Sequence, residues 1–71
     1  MEAQKEALLI GVGELSELLG LGRSSIYRHL DAGKLPEPIR IGGSVRWRKA
    51  EIEAWVSAGC PARNRWEWEG E

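Results

Sequence analysis

The stretch Val12-Gly13-Glu14-Leu15-Ser16-Glu17-Leu18-Leu19-Gly20-Leu21-Gly22-Arg23-Ser24-Ser25-Ile26-Tyr27-Arg28-His29-Leu30 decides how this chain folds. Val12, Leu15, Leu18 and Leu19 recur at helical spacing, with Glu14 and Glu17 on the other face. Gly11 precedes them as a permitted N-cap, and acids early in a helix suit the positive end of its dipole. Gly20 ends this helix after about two turns, so it needs tertiary contacts to persist. Gly20-Leu21-Gly22 is a tight connector in which Leu21 can drop into the core between two permissive glycines. A second helix is expected from Arg23 to about Ala32, with Ile26 and Leu30 on its buried face. Arg23, Ser24, Tyr27 and Arg28 fall on its exposed side, and Gly33 is placed as a left-handed cap. Two short helices around a glycine-containing turn form a helix-turn-helix.

Working outward, Leu8-Leu9-Ile10 reads as a brief strand or an extended arm over the core. On the other side, Pro36-Glu37-Pro38 forbids further helix and starts an extended segment. Ile39-Arg40-Ile41, Gly42-Gly43-Ser44 and Val45-Arg46-Trp47 then read as a β-hairpin. Two registers compete. A two-residue turn at Gly42-Gly43 opposes Arg40 to Val45 and mixes the faces. A three-residue loop, Gly42 to Ser44, opposes Ile41 to Val45, Arg40 to Arg46 and Ile39 to Trp47, giving one wholly apolar face. Because register follows the buried face, the second is expected. It sets two arginines opposite each other at a cost of about a few tenths of a kcal/mol. A third helix runs from Lys49 or Ala50 to about Ala58, with Ile52, Trp55 and Val56 on its apolar face, ended by Gly59 and Pro61. Trp47 and Trp55 are read as core. Trp66 and Trp68 in the tail could fold back on the body, stack on a partner or stay loose.

With 71 residues there is room for one small domain, which buries only about 60% of its unfolded surface and has no space for a deep, walled substrate cavity. Ten Lys and Arg against eleven Asp and Glu give a net charge of −1. That total conceals an asymmetry. Gly22 to Lys49 carries +5 and the remainder −6, so bases occupy the middle and acids the ends. A polyanion meets the local field, not the total. The single Cys60 cannot close an internal disulfide, and with one His29 there are too few ligands for a structural metal. No cofactor is expected. A free thiol suits a reducing cytoplasm. Met1 to Ala7 lacks a basic region followed by a long apolar run, so no signal peptide is expected, and the glycine-broken run Ala7 to Gly13 is too short to enter a membrane. Enzyme readings fail on inventory: no nucleophile–base pair, phosphate loop or metal cluster is visible. Gly11-Val12-Gly13 is too short for a dinucleotide fingerprint.

Five pieces in order carry a resemblance. Leu9 to Gly20 resembles the opening of the AlpA-like and excisionase-type winged helix-turn-helix family. Arg23-Ser24-Ser25-Ile26-Tyr27-Arg28 resembles its basic helix. Gly33-Lys34-Leu35-Pro36, then Ile39 to Gly43 with Val45-Arg46-Trp47-Arg48, and finally Glu51-Ile52-Glu53-Ala54-Trp55 resemble its later parts. The likeness covers about residues 9–57. It implies a fold similar to the DNA-binding part of MerR-type regulators. It also implies a small phage or mobile-element protein that regulates transcription or directs excision. Gly11 and Gly22 stand where the family usually has hydroxyl caps. The tip Gly42-Gly43-Ser44 replaces a basic wing tip, leaving Arg40 and Arg46 to carry that charge.

The expected architecture is a mostly α, winged helix-turn-helix domain with one small hairpin. It would span residues 9–59, between an arm at 1–8 and a tail at 60–71. A recognition helix enters the major groove with its first residues near base edges. The candidates there are Arg23, Ser24, Ser25, Tyr27 and Arg28. Arg fits guanine in a bidentate manner, and Ser or Tyr suits phosphate or base edges. Tyr27 could instead pack on the hairpin, and Ser24 and Ser25 could only start the helix. Arg40, Arg46, Arg48 and Lys49 are candidate phosphate contacts, adding affinity without specificity, or else a solvated run. The expected partner is double-stranded DNA, with an integrase or neighbouring copies on DNA as further partners, and a monomer or weak dimer in solution. The rival reading is a protein-interaction adaptor on the same fold without DNA binding.

Overall fold

Glycine sets the limits of the first two helices. In a computed structural model, which describes residues 8–68, α1 spans Val12–Leu19 and α2 spans Arg23–Asp31. Gly20 closes α1 in the left-handed region at φ 70°, its N–H and that of Leu21 both donating to Ser16 O. The Ser16 hydroxyl donates to Leu21 O, tying the connector back onto α1. Gly33 does the same for α2 at φ 75°, and Lys34 N–H reaches back to His29 O at 2.9 Å. Neither helix has a side-chain cap at its start, since Gly11 and Gly22 occupy those positions.

Three short strands follow the expected order. β1 is Leu9–Ile10, β2 is Ile39–Ile41 and β3 is Ser44–Arg48; they form an antiparallel sheet with β3 in the centre. α3 runs Lys49–Ser57 directly from the end of β3. Ile10, Leu15, Ile26, Leu35, Trp47, Ile52 and Trp55 are the buried core, drawn from β1, α1, α2, the link after α2, β3 and α3. Burying each such side chain contributes about 1.5–3 kcal/mol before entropy is counted. The indole N–H of Trp47 donates to Pro36 O at 2.9 Å, which anchors the Pro36–Pro38 link to the central strand. Leu21 does not enter the core; it is 38% exposed. Leu18 and Val56 also face out, because the core is already filled by Leu15 and Ile52 on the same helices.

The hairpin register differs from the expected one. Ile39 pairs with Arg46, Arg40 with Val45, and Ile41 with Ser44, so the turn is the two residues Gly42-Gly43, with Gly42 at φ 58°. A wholly apolar hairpin face is favoured only where both strands lie on the core. Only β3 does, through Val45 and Trp47; on β2, Ile39 is half-buried and Arg40 and Ile41 are exposed. With nothing buried on β2 to select a register, turn chemistry selects it, and Gly-Gly suits a tight hairpin turn. Arg40 and Arg46 therefore lie on opposite faces of the hairpin, and the expected like-charge pair does not form.

The tail folds back. Cys60 follows Gly59 in a left-handed conformation at φ 57°, and its N–H donates to Trp55 O. A single 3₁₀ turn at Arg63–Arg65 then lies against the end of α2. Arg63 is its fastening: the backbone N–H donates to Gly33 O at 2.9 Å, Nε to Leu35 O at 2.8 Å and Nη2 to Leu30 O at 3.0 Å. Trp66 packs on the core, and its indole N–H donates to the Glu51 carboxylate at 3.0 Å.

Candidate nucleic-acid interface

α2 begins at Arg23 because Gly22 is extended and its carbonyl accepts from Ile26 N–H at 3.0 Å. Ile26 is fully buried, which fixes the roll of the helix and turns Arg23, Ser24, Tyr27 and Arg28 outward. Tyr27 is 54% exposed, so it is not packed under the hairpin. Ser25 is half-buried, and its hydroxyl accepts from Arg28 Nη2 at 3.2 Å, a pair that orients Arg28 along the helix.

The hairpin stands beside this helix. Between them lies an open groove of about 620 Å³, bordered by the start of α1, by Arg23 and Tyr27 of α2, and by Gly43 to Arg46 of the hairpin. Glu14 is the one acid on its lining. Arg46 enters from β3. Its Nη1 donates to Val45 O at 2.8 Å, and the guanidinium lies next to Gly11, where a built Cβ would stand 3.4 Å from Nη1. Extending the β1–β3 register by one residue puts Gly11 opposite Arg46, so the two meet across the sheet. Arg23 approaches from the other wall, and a Cβ built on Gly13 would stand only 2.8 Å from its Nη2. The two arginines thus flank the first turn of α1, where backbone N–H groups have no helical acceptor.

The remaining candidates are dispersed. Arg40 is exposed on the opposite face of the hairpin from Arg46. Arg48 is exposed, with its guanidinium carbon 5.8 Å from the centre of the Trp68 ring, a cation–π contact. Lys49 is half-buried, and its backbone N–H donates to Leu8 O at 3.0 Å. So the fold brings Arg23, Tyr27 and Arg46 to one groove, leaves Ser24 and Arg28 on the exposed face of the same helix, and sets Arg40 apart. The sequence reading missed the contribution of Gly13. A glycine in the first turn of a helix, at a position with no capping role, was the available signal. It also missed Arg63, whose bonds reach residues far away in the chain.

Among the described residues, no group of His, Cys, Asp and Glu could hold a metal ion, and no helix is long and apolar enough to cross a membrane. The fold is a class not associated with catalysis. Residues 9–60 match the family model described as "Helix-turn-helix domain". The chain is also similar to the uncharacterized protein ORF88 of Enterobacteria phage P4, at 36% identity over 55 residues. That alignment takes in 76% of this chain and 62% of the phage protein's length. No solved structure matches the chain. With three α-helices and a hairpin among the described residues, and a family match over residues 9–60, this chain belongs to the helix-turn-helix domain family.

Proposed function

We propose that the chain is a sequence-selective double-stranded DNA-binding protein of the phage or mobile-element kind. It acts as an excisionase (a recombination directionality factor), a transcriptional regulator, or both. The observation that carries this reading is the groove itself: Arg23 and Tyr27 of α2 face a hairpin that contributes Arg46, and Ser24 and Arg28 are exposed on the same helix. In this reading α2 enters the major groove, with Arg23 and Arg28 reaching base edges and Ser24 and Ser25 near phosphate. Arg46 holds the flanking backbone together with Arg48 and Lys49, and Arg40 adds to the field from the other face of the wing. The likeness to a phage protein supports the mobile-element setting.

Titration of duplex DNA at several salt concentrations tests the reading. The +5 segment, Gly22 to Lys49, is expected to neutralise about four to six phosphates, so log K against log salt should slope about −4 to −5. A flat slope, or no binding to any duplex at low salt, overturns it in favour of a protein-interaction adaptor. An integrase gene beside the coding region, followed by an excision assay with that integrase, separates the excision role from regulation.

A further inference from the structure

We infer that Gly13 is a positioning residue for DNA recognition: its missing side chain gives the Arg23 guanidinium a seat on the first turn of α1. This inference rests on the DNA-binding reading above and adds a specificity-determining position to it.

Backbone conformation does not explain Gly13. Gly20, Gly33, Gly42 and Gly59 all have positive φ, where glycine is favoured, but Gly13 is an ordinary helical residue inside α1. Glycine there weakens the helix relative to alanine, and α1 is only eight residues long. Space explains it instead. A Cβ at position 13 would stand 2.8 Å from Nη2, 3.5 Å from Cζ and 3.8 Å from Nε of Arg23. The guanidinium therefore occupies the volume that any other side chain would fill. At Gly11 the corresponding approach to Arg46 is 3.4 Å, ordinary van der Waals contact, so the exclusion is particular to Arg23.

The seat matters because of what arginine must do. Bidentate recognition of guanine requires the planar fork at a fixed angle, and a long exposed side chain otherwise searches many rotamers. Resting the fork on α1 couples its direction to the helix pair rather than to its own torsions, which lowers the ordering cost on binding. A methyl at position 13 displaces only the far end of a flexible side chain. The fold survives, the charge stays, and the direction is lost.

The test compares the wild type with Gly13→Ala, using the duplex that the wild type selects from a random pool and a scrambled duplex of equal length. Gly13→Ala is expected to melt at the same temperature or higher and to keep the wild-type salt slope. Its preference for the selected duplex is expected to fall about 3- to 10-fold, part of the discrimination that one bidentate contact supplies. In an Arg23→Ala background the same substitution should change the preference no further, because the two residues act through one contact. Gly13→Ser serves as a second variant with the same expectation.

Unchanged preference in both Gly13 variants overturns the seat while leaving DNA binding intact. An equal loss in the Arg23→Ala background overturns it too, by showing that position 13 acts by another route. Failure of the wild type to bind duplex at low salt is distinct from both, and removes the DNA reading together with this inference.

Discussion

Arg63 and Arg23 show the same side chain put to opposite uses at two edges of one small domain. In the C-terminal strap, Arg63 directs two side-chain donors at the carbonyls of Leu30 and Leu35 and is half-buried as a result. At the groove, Arg23 lies exposed across a glycine. One arginine fastens the chain, donating to one carbonyl in the last turn of α2 and to another beyond it. The other lies exposed against Gly13. Count of charge therefore predicts little about an interface; what each guanidinium already bonds decides whether it is available.

Substitutions sharpen this contrast, and the largest effect belongs to the strap. Arg63→Ala leaves two carbonyl groups without their charged donor and should destabilise the fold by about 2–3 kcal/mol in urea unfolding. DNA affinity per folded molecule should stay the same. A stable Arg63→Ala variant that binds DNA poorly would erase the distinction between the two edges.

At the groove the expectation reverses. Arg23→Ala and Arg28→Ala should leave melting temperature nearly unchanged while reducing discrimination between selected and scrambled duplexes by about 1–3 kcal/mol. Arg48→Ala and Lys49→Ala should weaken all duplexes alike. Uniform loss in all four variants would mean that α2 is not the reading helix.

The hairpin supplies a finer comparison. Arg46 lines the groove with Arg23, whereas Arg40 lies on the other face. Arg46→Ala should lower the salt slope by about 1, as expected for one lost phosphate contact, and Arg40→Ala by less. Equal effects would point to a wing that engages DNA edge-on with both faces. The smallest effect is expected at Trp68. Trp68→Ala removes the contact over Arg48 and should cost about 0.5–1 kcal/mol of stability at an exposed site, with a slight gain in DNA affinity as Arg48 is freed. Thermal melts and fluorescence anisotropy on the same samples read both quantities.

Features set by neighbouring residues were legible in the sequence. Gly20 and Gly33 end helices because the backbone there turns left-handed, and Ile26 and Trp47 are buried as their spacing implied. The outward set Arg23, Ser24, Tyr27 and Arg28 followed from the position of Ile26. The hairpin register was not legible. Both registers can be written from the same residues, and choosing between them requires knowing that β2 borders water rather than core. Leu21 was misjudged for a similar reason, since the volume available between two helices is a tertiary quantity. Arg63 was invisible because its partners, Leu30 and Leu35, are distant in the chain and are backbone atoms, which leave no pattern in side-chain chemistry. Of the groove, the sequence indicated its arginines but not that Arg46, rather than Arg40, would share it with Arg23.

The strap also bears on how the chain is made. β1 pairs with the last two residues of β3, and the end of α2 is fastened by a residue beyond α3. Both β1 and α2 thus depend on a partner translated later. At about 5–20 residues per second, a ribosome releases Arg63 only seconds after the helices themselves have emerged. Isolated helices this short are marginal in water, so until then they flicker rather than fold. Termination between α3 and the strap removes the Pro61 carbonyl that accepts from the Trp55 indole and the Trp66 ring that packs on the core, and its product is a substrate for proteases rather than a shortened domain.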